Sequence, residues 1–393
     1  MSDAREMWFS EAEYAERLAK VRAAMERAGV ETLVVTDPSN MNWLTGYDGW
    51  SFYVHQAVIV GPADEPLWWG RPMDAVGARL TTRLSGDAIL SYPDDYVQNP
   101  ARHPYETLAS ALKERGWGRA AVGVEMDNYY FSAKCLDVLR AACPQTPIRD
   151  ATALVNWQRA VKSEAELGYM RTAAAITAAM HDRIRETAEP GMRKCDLIAE
   201  IYDAALRGMD GAGGDYPAIV PLAPSGREAA AAHLTWDERP LRRGEGTFFE
   251  ISGVYRRYHA PVCRTVHFGP PPPAMIEAEK AVLEGLEAGL SAARPGTTCG
   301  AVAEAFFAVL ARHGVIKDSR AGYPVGLSYP PDWGERTMSL RRGDPTVLEA
   351  NMTLHFMPAI WTDEWGLETT ETFVVTEAGG APLADVPRAL VVR

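Results

Sequence analysis

The sequence predicts two domains, an α/β domain followed by an α+β domain made of two similar halves. Three observations carry this. Up to about residue 155, short β-branched runs alternate with amphipathic helical periods. Beyond that point, long helix, Pro-Gly turn and second helix recur with an offset of 104 to 105 residues. Each copy is followed by strand-like segments, as in an α+β domain. A chain of 393 residues is also too long for one core. The domains are placed at 1–155 and 156–393.

The elements follow in order. Ser10 and Glu13 fit a capping box, and Tyr14, Leu18, Val21 and Met25 form one apolar helical face that Gly29 ends. Thr32 to Thr36 reads as a buried strand, and Asp37-Pro38-Ser39-Asn40 as a turn. Further strands are expected at Ala57–Val60, Pro66–Trp69 and Ala121–Glu125, with helices near Pro72–Thr82, Pro104–Arg115 and Ser132–Ala142. Ser163 with Glu166 opens a long helix to about Thr187. Glu189-Pro190-Gly191 and the helix around Ala199–Tyr202 then match Arg294-Pro295-Gly296 and Ala303–Phe306, the latter preceded by a helix over Ala274–Ala293. Pro270–Pro273 reads as a stiff spacer. Strands are expected at Tyr216–Leu222, Gly246–Ser252, Arg264–Phe268, Met352–Met357 and Thr370–Thr376. A duplication of this kind places a ligand site between the halves.

Composition narrows the function. Forty basic against 52 acidic residues give a net charge of −12, which disfavours nucleic acid and anionic membranes as partners. The five cysteines include no CxxC pair, so they read as small buried hydrophobes. The first 14 residues carry no apolar signal core, and no run approaches a membrane span. A cytoplasmic protein is expected.

Three polar features interrupt apolar strand runs. Glu250 follows Phe248-Phe249; His233 sits in Ala232-His233-Leu234; Glu371 lies among Thr370, Thr372 and Phe373. A hairpin-like connection through Arg243-Gly244 brings His233 toward Glu250 in this reading, and His355 lies between Leu354 and Phe356. A cleft with two carboxylates and one or two imidazoles suits acid–base or nucleophilic catalysis, or a metal. The segments Tyr47-Asp48-Gly49-Trp50 and Tyr329–Glu335 read as exposed aromatic loops suited to a small cationic ligand.

These strings identify a resemblance over essentially the whole chain to the creatinase, prolidase and aminopeptidase P superfamily, whose catalytic domain has the pita-bread fold. Metallopeptidases of that superfamily use two Asp, one His and two Glu as ligands. The matching positions here are Glu250, Pro261, Tyr323, Met357 and Glu371. Proline and methionine at two carboxylate positions imply a metal-independent member that needs no cofactor. The strings Leu44–Tyr53, Tyr92–Gln98, Gly213–Leu222, His233–Trp236, Tyr255–His259 and Tyr329–Glu335 are similar to ectoine hydrolases. That resemblance implies opening of the cyclic amidine of ectoine, or 5-hydroxyectoine, to an N-acetyl-diaminobutyrate. It implies Glu250 as nucleophile, His233 as proton carrier, and Glu371 as amidinium ligand or support for His233. Tyr47, Trp50, Tyr216, Tyr323, Trp333 and His355 are the expected substrate shell, with Arg257 a candidate for the ligand carboxylate. The expected partners are a small zwitterionic substrate and a second copy of the chain in a homodimer. A creatinase-type C–N hydrolase and a catalytically inactive binding module are the alternatives.

Overall fold

A computed structural model describes residues 6–393, which divide into one compact unit ending at Arg159 and another spanning Ala160–Arg393. The first unit holds strands β1 (Thr32–Val35), β2 (Ala57–Val60), β3 (Leu67–Gly70), β4 (Ile89–Ser91), β5 (Val122–Val124) and β6 (Ile148–Asp150). They form one mixed sheet in the order β4-β3-β2-β1-β5-β6. Around it lie α1 (Glu11–Ala28), α2 (Pro38–Thr45), α3 (Ala75–Thr81), α4 (Pro104–Glu114), α5 (Ala133–Ala142) and α6 (Leu154–Gln158). Two apolar clusters cover the sheet, one containing Leu108, Leu112 and Leu139, the other Val21, Met25 and Met41. This is the expected α/β domain.

One secondary-structure expectation fails in this unit. Asp37-Pro38-Ser39-Asn40 does not turn the chain but starts α2. The Asp37 side chain accepts from Ser39 N at 2.8 Å, and Pro38 takes the first helical position. Asp, Pro, Ser and Asn suit a turn and a helix start equally well, for the same hydrogen-bonding reasons.

The second unit repeats itself. Its first half packs α7 (Glu164–Thr187) and α8 (Lys194–Arg207) against the hairpin β7 (Gly246–Tyr255) and β8 (Tyr258–His267). The core joins Ile176, Met180 and Ile184 to Leu197 and Ile201, and these to Phe249, Ile251 and Val266. The second half packs α9 (Pro273–Ala292) and α10 (Cys299–Arg312) against a sheet. That sheet includes β9 (Gly322–Pro324), β10 (Thr353–Phe356), β13 (Glu371–Thr376) and β14 (Gly379–Pro382), in the order β14-β13-β10-β9. Its core joins Leu286, Leu290, Val302, Phe306 and Leu310 to Leu354, Phe356, Phe373 and Val375. A small pair, β11 (Ala359–Trp361) and β12 (Gly366–Glu368), and a short β15 (Val391–Val392) on the edge of β8 complete the unit.

The capping box at Ser163 and Glu166 forms at the start of α7 as expected. Gly253 lets α7 approach β7: a Cβ there would lie 2.4 Å from Ala173 O and 2.6 Å from Thr177 N. The expected strand over Tyr216–Leu222 is irregular and keeps only the bridge between Leu222 and Glu250. Pro273 belongs to α9 rather than to a spacer. Threonines stitch the two halves together. Thr370 Oγ1 accepts from Cys263 N at 2.7 Å, Thr372 Oγ1 donates to Pro261 O at 2.7 Å, and Thr265 Oγ1 accepts from Glu368 N at 2.9 Å. Among the described residues no helix is long and apolar enough to cross a membrane.

Candidate active site

Chemistry gathers on this seam. From the first half, β7 presents Glu250 directly opposite Cys263 of β8. From the second half come His355 on β10 and Glu368 at the end of β12. All four are buried. His355 Nδ1 stands 4.0 Å from Glu250 Oε1 and 3.3 Å from the Tyr323 hydroxyl. Its Nε2 lies 2.8 Å from Thr370 Oγ1. Trp333 Nε1 donates to the Tyr323 hydroxyl at 2.8 Å. The ring of Trp333 also neighbours His259, whose Nε2 accepts from Ala218 N at 2.9 Å.

The electrostatics are unusual. Burial first, then the like charge of Glu368, push the Glu250 carboxyl well above the ordinary carboxylate range. Burial also raises Glu368. Cys263 and Trp361, placed to donate toward it, and the Lys317 charge oppose that rise, yet among the described residues neither Glu368 oxygen nor Trp361 Nε1 meets full hydrogen-bond geometry with a partner. Unpaired buried carboxylates are costly, and they concentrate where charge is needed for chemistry. Burial, helped by Arg264 and Arg320, lowers His355 to about 3, so its imidazole is neutral. Burial lowers Lys317 to about 8; its Nζ donates to Ser319 Oγ at 2.8 Å and lies 4.8 Å from the Trp361 ring centroid.

The structure therefore brings together Glu250, Tyr323, Trp333 and His355 from the sequence-based set. Tyr216 instead stacks with Arg257, whose guanidinium lies 3.8 Å from its ring centroid. The aromatic loop expected at Tyr329–Glu335 is instead packed inside: Trp333 is fully buried, and Glu335 pairs with buried Lys162 at 2.8 Å.

Three expectations need correction. The hairpin meant to carry His233 to Glu250 is not formed. His233 is exposed on an irregular segment, and β7 pairs with β8 instead. The imidazole beside Glu250 is His355. Glu371 is engaged elsewhere: Arg264 Nη2 holds it at 2.6 Å and Arg388 Nε at 2.9 Å. Tyr47 is a core residue of the first unit, its hydroxyl bonded to Ser51 Oγ at 2.7 Å and Gln56 Oε1 at 3.0 Å. Trp50 on the same loop is 56% exposed, as a surface aromatic should be.

Glu368 escaped the sequence reading. Its signal was an acid in Gly366-Leu367-Glu368-Thr369-Thr370, three residues before the acid that drew notice.

Arg264 also donates to Cys263 O, Thr370 O, Val386 O and Pro387 O. Its loss would leave the buried Glu371 carboxylate with Arg388 alone and strand several carbonyls. Arg264→Met is expected to cost about 3–5 kcal/mol in chemical denaturation, and a cost below about 1 kcal/mol would show the pair to be incidental.

The superfamily's dinuclear metal centre finds no matching donor set here. Pro261 and Met357 lack carboxylates, and two guanidinium groups already neutralise Glu371. Among the described residues, the one cluster of three His, Cys, Asp or Glu donors within metal-binding reach lies in the first unit.

Comparison with known proteins agrees with this architecture. Residues 168–377 match metallopeptidase family M24, and residues 17–161 match the creatinase/prolidase N-terminal domain. The chain is 54% identical to an ectoine hydrolase of Halomonas elongata, over 98% of both chains. It is 42% identical to an uncharacterized hydrolase/peptidase of Sinorhizobium fredii, over 99% of this chain and all of the other. Among solved structures, a prolidase from Thermococcus sibiricus superposes with a TM-score of 0.84 at 18% identity, covering 98% of this chain and 100% of that one. Dipeptidase PepE from Mycobacterium ulcerans gives 0.81 at 26% identity, over 98% and 99%. With its duplicated pita-bread domain and creatinase-type N-terminal domain, the chain belongs to metallopeptidase family M24.

Proposed function

We propose that this protein is a metal-independent hydrolase that opens the cyclic amidine ring of ectoine. The observation that carries the reading is the pair of buried carboxylates, Glu250 and Glu368, one from each half, with no Lys or Arg ion pair to either among the described residues. An amidinium is the charge complement of such a pair. Similarity to the Halomonas elongata ectoine hydrolase supports the choice of substrate.

In this reading the amidinium seats against Glu250, and its positive charge favours the ionised carboxylate. The carboxylate then attacks the carbon between the two ring nitrogens. The pair's remaining proton, on Glu368, goes to the leaving nitrogen. Glu368 afterwards takes a proton from the water that hydrolyses the adduct. This gives Glu368 the task first expected of His233. His355 and Tyr323, fixed by Thr370 and Trp333, hold the wall beside Glu250. Arg320, whose guanidinium lies 4.5 Å from the Tyr323 ring centroid, supplies positive charge for the ligand carboxylate.

The test is turnover of ectoine, 5-hydroxyectoine and creatine side by side, with and without EDTA. Ectoine ring opening is expected to dominate and to survive the chelator. Preference for creatine, or loss of activity that a transition metal restores, would overturn the proposal.

A further inference from the structure

The first unit contains a feature that the catalytic reading leaves unused. His55 precedes β2, His103 caps α4, and Cys135 lies in the first turn of α5. One ligand atom from each lies within 4.8 Å of the others. Three chain segments separated by 48 and 32 residues thus converge soft and borderline donors on one point. We propose that His55, His103 and Cys135 form a binding site for a zinc-class transition-metal ion.

The geometry fits. Cys135 Sγ is 3.7 Å from His55 Nδ1. Two such atoms on a tetrahedral zinc ion stand roughly 3.6 Å apart, from bond lengths of about 2.3 and 2.05 Å. The His103 ring is oriented already, because its Nδ1 accepts from Tyr105 N at 3.2 Å as the helix cap. That leaves Nε2 as the ligand atom, in the manner of second-sphere orientation of metal-bound imidazoles. The two rings are neighbours, with centroids 4.7 Å apart and planes tilted by 44°.

Burial and the neighbouring ring hold His55 at about 4, so it is a neutral imidazole with its lone pair available. Burial raises the Cys135 thiol, which therefore keeps its proton until a metal displaces it. Binding thus forms one metal–thiolate and two metal–imidazole bonds and releases one proton to solvent. Beside the cluster a cavity of about 120 Å³ is lined by both histidines with Tyr53, Tyr92, Asn99 and Arg102. It gives a fourth position to water or a small anion. A Cys-His-His donor set selects zinc, cobalt or copper(I) over magnesium and calcium.

Cobalt(II) titration of the full-length, metal-stripped protein tests this. The expected result is one equivalent bound, with a thiolate-to-cobalt charge-transfer band, release of one proton, and displacement of cobalt by zinc. Cys135→Ser should abolish the band. His103→Asn keeps a cap acceptor for the helix and remains decisive if the serine variant fails to fold. It should weaken binding by at least about tenfold, since losing a ligand costs no less than losing its outer-sphere partner. Absence of saturable cobalt binding to the unsubstituted protein, a charge-transfer band unchanged in folded Cys135→Ser, or an unchanged cobalt affinity in folded His103→Asn would overturn the proposal. The site lies outside the proposed catalytic chemistry, so loss of ectoine turnover and loss of cobalt binding are read separately.

Discussion

Glu250→Gln is expected to lower ectoine turnover by at least about 10⁴-fold, in line with the loss of a catalytic nucleophile, while the thermal transition stays within a few degrees of the parent. The amide has nearly the shape of the carboxylate, so β7 and its pairing with Cys263 remain. It cannot form the adduct, and it cannot neutralise an amidinium. Its neutrality also removes a repulsion inside the fold, because Glu250 and Glu368 are both buried. The substitution should thus be neutral or mildly stabilising without substrate, which separates a chemical loss from a folding loss. Turnover kinetics, with mass spectrometry for a trapped adduct on the parent chain, is the measurement. Near-parental ring opening by folded Glu250→Gln would end the nucleophile assignment.

The two-domain plan and the repeated half were legible because they rest on periodicity and punctuation. The Ser163 cap, the Pro-Gly turns and the apolar faces of α7 and α9 are local signals. Glu250 was legible for a related reason: a charge inside Phe248-Phe249-Glu250-Ile251 has no solvated face to occupy in a strand buried along nearly its whole length.

What stayed hidden depended on pairing across long separations. The hairpin joining β7 and β8 turns at Arg256-Arg257, both with positive φ (48° and 64°), where glycine or asparagine is the usual marker. Without that marker β8 could not be traced back to Tyr258, and Pro261 concealed it further. His233 and His355 look equally suited to catalysis in a linear reading. Only the pairing of β10 with β9 sets His355 opposite Tyr323 and near Glu250. Glu368 escaped for the same reason. It ends β12 three residues before Glu371 opens β13, and only Glu371 is claimed by Arg264 and Arg388, which arrive from 107 residues before it and 17 after it.

That exchange of roles gives the second large effect. Glu368→Gln is expected to lower kcat by about 10²–10⁴-fold, the ordinary worth of a general acid, and to remove the alkaline limb of the pH profile. The parent should show a bell in kcat/KM. Below the first ionisation of the pair both carboxyls are protonated and no nucleophile exists. Burial moves that step from the ordinary carboxylate range toward the Glu368 value of about 7. Above the second ionisation both are charged, and the leaving nitrogen has no proton donor. The second step lies higher because each carboxylate repels the other's charge. With glutamine at 368 only the Glu250 ionisation remains. Activity should then rise with pH to a plateau instead of falling again. The same substitution reverses a stability trend. Raised carboxyls make the folded state bind more protons than the unfolded one, so the parent loses stability as pH rises from the unfolded carboxylate range through about 7. Glu368→Gln should flatten that loss in denaturation curves across the same window. A bell that persists in Glu368→Gln would return the proton transfer to another group, with His355, the imidazole beside Glu250, the first to examine.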